Sequence, residues 1–191
     1  MLHIKTAQTE FPVLDIIKKR WSPRAFSDRP VSEADMRTIL EAGSWAASSG
    51  NEQPWKYIYA MKGTPGFETL WSCLDKGNQS WNRHAAVLMA AIARKKFTRN
   101  GKDNAHAAHD LGMSNAQMFL QGVSMNIYPH PMAGFFPDKV KEVLHLPEEE
   151  QPVCMIGWGY LGDPAMLDEK NRQSEIQPRT RKHFSEFSEK I

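Results

Sequence analysis

Cysteine is scarce in this chain of 191 residues, which holds only Cys73 and Cys154. They form no C-x-x-C pair and no metal-ligand cluster, so the sequence offers neither a dithiol redox motif nor a thiolate metal site. Charge of one sign is scarce too. Twenty-four Lys and Arg face 22 Asp and Glu, a formal net charge of +2. That speaks against nucleic acid as the main partner, since such domains usually carry a large basic excess. Long hydrophobic runs are absent. The longest, AAVLMAAIA (85–93), is too short to span a membrane and reads as a buried strand. The opening MLHIKTAQTEFPV lacks the apolar stretch of a secretory signal, so the expected location is cytoplasmic. No internal repeat or low-complexity linker divides the chain, which reads as a single domain over 1–191. Six tryptophans are better explained as core or interface than as base-stacking platforms.

What is present points to α+β. PVLDIIKKR (12–20) reads as a short amphipathic helix ending in a basic cluster. Ser32 and Asp35 form a capping box ahead of Met36, Ile39, Leu40 and Gly43 at helical spacing. WKYIYAM (55–61) alternates and is aromatic, which predicts a strand, and 67–74 a short helix. After AAVLMAAIA comes the polar RKKFTRNGKDN, then a helix over roughly 104–126. Its second half, NAQMFLQGVSM, is apolar on most faces, which suits the central helix of the domain or a subunit interface. Pro137 opens a helix through DKVKEVLHL, PVCMI is a last buried strand, and the tail from 165 is polar. Few strands and segregated helices argue for α+β rather than a βαβ repeat.

One motif is a decoy. CMIGWGYLGDP (154–164) places Gly157, Gly159 and Gly162 in G-x-G-x-x-G spacing. A dinucleotide-binding turn needs a helix straight after the glycines and an acidic residue on a second strand about 20 positions on. The residues that follow, AMLDEKNRQSEIQP, show little apolar periodicity, and the late tail is basic. A buried strand whose glycines allow close packing is the better reading.

Three stretches carry a chemical signal. In KKRWSPRAF (18–26), Arg20, Ser22 and Arg24 lie at i, i+2, i+4 and face one way if the segment is extended. Two guanidinium groups and a hydroxyl on one side suit a phosphate dianion, although from this stretch alone a solvated basic turn is the commoner reading. AASSGNEQPW (46–55) offers backbone amides with Ser48, Ser49, Asn51 and Gln53 that could read a heterocycle's edge, or it is an ordinary helix-to-strand loop. YPHPMAGFF (128–136) holds two prolines and a glycine, a fixed loop that could aim N–H groups at a ligand or merely join two elements.

Together these stretches resemble the FMN-dependent nitroreductase family, the short flavin oxidoreductases. RWSPRAF, SSGNEQPW, PMAGF and the late RTR stand in the family's order, and the resemblance runs from about Val13 to Phe187. It implies an α+β fold with a mostly antiparallel central sheet flanked by helices, in an entwined homodimer with FMN at the interface. It further implies that Arg20, Trp21 and Ser22 belong to the phosphate site, with Arg179 and Arg181 reaching the same phosphate from the tail. Arg24 would lie near the pyrimidine edge of the flavin. Ser48, Ser49 and Asn51 would reach the flavin from the other subunit. Pro131, Met132, Ala133 and Gly134 would line the ring, with the Ala133 amide toward N5, and Asn78 would lie on the pyrimidine side. The activity implied is hydride transfer from NAD(P)H to the flavin and on to a nitroaromatic, quinone or similar acceptor. No side-chain nucleophile or metal is implied, since the flavin carries the chemistry. The chain departs from the family in carrying Ala47 where Pro is frequent before the serine pair, and in the short stretch after AAVLMAAIA. Two alternatives stand beside this reading. One is another flavin reaction on the same scaffold, dehalogenation or flavin fragmentation, or a flavin-binding protein without turnover. The other is a metal-dependent hydrolase built on His106, His109 and Asp110 of HAAHD.

Overall fold

The computed structural model describes residues 2–191, with side chains from Ile4 onward. Three helices, α1 (Leu2–Lys5), α2 (Asp15–Lys19) and α3 (Glu33–Ser44), precede β1 (Trp55–Met61). Helices α4 (Pro65–Ser72) and α5 (Lys76–Asn82) lead to β2 (Val87–Arg94). The long α6 (Ala107–Ser124) is followed by β3 (Tyr128–Met132), α7 (Pro137–Val143), β4 (Glu150–Gly159) and α8 (Glu169–Ile176). The four strands form one sheet in the order β1-β2-β4-β3, every neighbouring pair antiparallel. The α+β expectation therefore holds.

β2 explains why its sequence is apolar without alternation. Leu88, Ala90 and Ile92 face one core cluster with Phe26, Phe67, Leu74, Trp81 and Met155. Val87, Met89, Ala91 and Ala93 face the other, with Met36, Ile39, Leu111, Met118 and Trp158. A central strand buried on both faces needs apolar side chains at every position. Helices thus cover both faces of the sheet, α3 and α6 on one side and α4, α5 and α7 on the other. α6 is amphipathic: Leu111, Ser114, Asn115, Met118 and Val123 are buried, while Met113 and Ala116 are exposed.

The capping box is present, with Ser32 Oγ accepting from Asp35 N at 3.0 Å. Pro137 does open α7. The stretch 128–136 is corrected. Its first five residues are not loop but the edge strand β3, paired with β4 from Tyr128↔Gly159 to Met132↔Met155. Proline is tolerated on a sheet edge, where its missing N–H faces outward. Helix α5 (KGNQSWN) was missed because it is polar, and α8 because the tail lacks apolar periodicity. Asp75 and Asp168 cap them. Gly157 and Gly159 lie in β4, not in a turn before a helix. A Cβ on Gly159 would come 2.8 Å from Phe26 Cδ1, and one on Gly162 2.6 Å from the Phe26 carbonyl carbon. These glycines let the 20–26 segment lie against the strand. An all-antiparallel sheet has no place for a dinucleotide-binding βαβ turn.

Candidate functional site

The basic segment is built first by its backbone. Arg20 caps the C-terminus of α2, its own N–H bonding to Ile16 O at 3.0 Å. From there the chain runs to the bridge between Phe26 and Leu161. Side chains from distant parts of the sequence hold almost every step. Arg179 donates to the carbonyls of Arg20 and Lys18 at the C-terminal end of α2, the second of which also accepts from Ala7 N. His130 Nδ1 meets Pro23 O at 2.8 Å. Glu175 Oε1 accepts from both Arg24 N and Ala25 N at 2.9 Å. Trp21 points inward, packing edge-on against Tyr128 at 6.4 Å with Lys5 Nζ 5.1 Å from its ring centre. Its side chain is core.

The charges of this segment are unbalanced. Burial, and then the guanidinium groups of Arg179 and Arg181, push Arg20 below its usual pKa. Burial and Arg181 do the same to Arg179. Among the described residues none of the three has a carboxylate partner, and Arg179 Nε is buried without any hydrogen bond. Arg20 Nη1 reaches Ser22 Oγ at 3.4 Å. The three arginines line a cavity of about 700 Å³ with Phe11, Ile17 and Phe184. Crowded cations without a counter-ion fit a polyanionic group such as a phosphate.

Arg24 is turned elsewhere. Its guanidinium lies 5.9 Å from the Trp81 ring centre and 3.4 Å from Ser174 Oγ. Trp81 in turn packs on the His130 ring, centroids 4.4 Å apart. His130 lies in β3, whose strand continues into Pro131, the buried Met132, the exposed Ala133 and Gly134. Gly134 docks against the start of α5. Its carbonyl accepts from Asp75 N at 3.1 Å and from Asn78 Nδ2 at 2.9 Å, and a Cβ there would sit 2.2 Å from Asp75 Oδ2. Asn78 thus fixes this loop, leaving its Oδ1 and its second Nδ2–H outside that bond.

The Ser48–Gln53 loop is a separate construction. Gly50, Asn51 and Gln53 all adopt left-handed backbone, with φ of 60°, 55° and 53°. Ser49 N donates to Asp110 Oδ2 at 2.9 Å, and Gln53 N to Ser48 Oγ at 2.9 Å. Asp110 is buried at the start of α6, and its other oxygen lies 3.0 Å from His109 Nδ1. Ser48, Ser49, His106, His109 and Asp110 line a cavity of about 250 Å³. Among the described residues no three His, Cys, Asp or Glu side chains come together to hold a metal ion. HAAHD instead supplies the carboxylate that holds the serine loop.

The structure therefore joins Arg20, Ser22, Arg179 and Arg181 at one place, and Asn78 with Gly134 at another. No hydrogen bond among the described residues links Ser48, Ser49 or Asn51 to either. Sequence reasoning missed Glu175 and Asp75. Glu175 sits in a polar stretch that reads as solvated helix, and no periodicity marks it as buried.

Comparison with known proteins agrees with this architecture. A solved structure described as an oxidoreductase containing FMN is 30% identical, covers 95% of this chain and 92% of its own, and superposes with a TM-score of 0.90. A nitroreductase-type protein of Desulfovibrio desulfuricans, solved in complex with FMN, has the same fold at 23% identity and a TM-score of 0.73, covering 96% of this chain and 99% of its own. An Archaeoglobus fulgidus protein provisionally named NADH dehydrogenase/NAD(P)H nitroreductase is 26% identical over 153 residues, 78% of this chain and 86% of that one. The family model for nitroreductases matches residues 17–64 and 67–160, from the basic segment through the last strand, and the chain belongs to the nitroreductase family.

Proposed function

We propose that this protein is an FMN-dependent oxidoreductase that takes hydride from NAD(P)H and reduces a nitroaromatic, quinone or similar acceptor. The observation that carries the reading is the cluster of Arg20, Arg179 and Arg181, crowded together with no carboxylate partner among the described residues. Arg20 and Arg181 would bind the FMN phosphate with Ser22, and Arg179 would hold the α2 carbonyls that position Arg20. Trp21 would support the same segment from the core. Arg24, resting on Trp81, would face the pyrimidine edge, with Asn78 setting the Gly134 loop beside it. Pro131, Met132, Ala133 and Gly134 would line the ring, the Ala133 amide toward N5.

In this reading two copies of the chain assemble, and Ser48, Ser49 and Asn51 of one reach the flavin of the other. The exposed Met113 and Ala116 of α6 suit such a contact. When bound, FMN supplies the hydride acceptor and donor at N5. The protein binds it, orients it and places positive charge where the reduced ring gains negative charge. The nicotinamide nucleotide needs no dinucleotide-binding turn, because it enters an open cleft as a substrate.

The test is the visible absorption spectrum of the purified protein, reconstituted with FMN, before and after anaerobic NADH or NADPH. A bound-flavin spectrum that bleaches is the expected result, followed by recovery on adding a quinone or nitroaromatic. A protein that takes up no FMN overturns the cofactor assignment. One that binds FMN but is reduced by neither nucleotide overturns the hydride donor.

A further inference from the structure

His130 plays no part in the function as stated, yet it stands where the two ends of that site meet. It is 8% exposed, lies in β3, and belongs to the same strand end as Pro131 and Met132. Its Nδ1 reaches across to Pro23 O at 2.8 Å, inside the basic segment. Its ring packs on Trp81 at 4.4 Å, and Trp81 carries the Arg24 guanidinium at 5.9 Å. One side chain therefore touches the basic segment twice, through the backbone between Ser22 and Arg24 and through the ring that supports Arg24. Arg24 and Arg20 face it electrostatically, and no carboxylate among the described residues does.

We propose that His130 is a positioning residue that fixes the spacing between the phosphate-binding arginine segment and the ring-facing end of β3. It does so by donating from Nδ1–H to Pro23 O and by packing at a tilt against Trp81, the ring on which Arg24 rests. The inference rests on the flavin reading above. It requires the proton on Nδ1, the tautomer that the Pro23 carbonyl selects, while burial and the two nearby guanidinium groups favour the neutral ring. An apolar ring would keep the stack and lose the hydrogen bond. Asparagine would do the reverse, because its amide nitrogen takes the place of Nδ1.

The experiment compares wild type, His130→Phe and His130→Asn as FMN-reconstituted proteins. It reads the FMN dissociation constant by flavin fluorescence, the reduction potential of the bound flavin, and the thermal midpoint. His130→Phe is expected to weaken FMN binding at least tenfold. His130→Asn is expected to stay within about threefold of wild type in affinity but to shift the potential, since Arg24 loses its support. Affinity and potential unchanged in both variants, with only the thermal midpoint lowered, would reduce His130 to a core residue and overturn the proposal. If His130→Phe does not fold, an unshifted potential in His130→Asn overturns it alone. Failure of wild type to bind FMN is a different result, which brings down the flavin reading and this inference with it.

Discussion

The two polar stretches that most invite a ligand are built in opposite ways. The basic segment, 20–26, is held by side chains from three distant places: His130 in β3, Glu175 in α8 and Arg179 in the tail. The serine loop, 48–53, is held mainly by Asp110 and by its own Ser48, and three of its residues sit in left-handed backbone. The first is organised by contacts within the chain itself. The second stores local strain at the surface, a pattern common where a loop must meet another molecule. A site assembled from these parts has one half completed within the chain and another half presented outward.

The largest expected effect comes from releasing the prebuilt half. Glu175→Ala strands the N–H groups of Arg24 and Ala25, at a cost of about 3 kcal/mol. In a chain of this size that lowers the thermal midpoint by about 6–12 °C, and a shift under 2 °C would show the clamp to be dispensable. Next is a pH effect. Burial, with Arg24 and Arg20 nearby, depresses His130 from 6.5 to about 4. Its folded pKa lies below the unfolded value, so between those pH values the unfolded chain binds the extra proton. Stability contributed by neutral His130 is full above about 6.5 and is lost as pH falls toward 4, on the order of 3 kcal/mol. Glu175, raised by burial, acts in the opposite sense at low pH. The clean reading is therefore the difference between wild type and His130→Phe across that window, and equal slopes would contradict it.

A third comparison separates the arginines. Arg20→Ala and Arg181→Ala should each weaken FMN binding about tenfold or more, as loss of a charge-assisted contact does. Arg179→Ala should also lower the thermal midpoint, because its guanidinium already serves the α2 carbonyls. Identical behaviour of all three would erase the division of labour. The smallest effect belongs to the strained half. Gln53→Gly should stabilise the protein by up to about 1 kcal/mol, since glycine adopts positive φ without a Cβ penalty, and chemical denaturation would read it.

Much of this was legible in the sequence where a local rule governed. The doubly buried β2 showed as an unbroken apolar run, the Ser32–Asp35 box marked the start of α3, and the order of short motifs pointed to the family. What stayed hidden depends on contacts between distant residues. YPHPM reads as loop because two prolines oppose a strand, and only the neighbouring β4 reveals that it is an edge. Glu175 looks solvated in a polar helix until α8 folds over Ala25. That Arg179 also holds the carbonyls of Lys18 and Arg20 shows only once the tail folds back on the end of α2.

The prolines of β3 carry one more consequence. Pro129 and Pro131 pair with Trp158 and Ile156 on the inner side, so the outer margin of the strand is missing the amide hydrogens that another chain would need. This border of the sheet is therefore a poor template for strand addition by another chain, and composition alone supplies that protection against edge-to-edge growth.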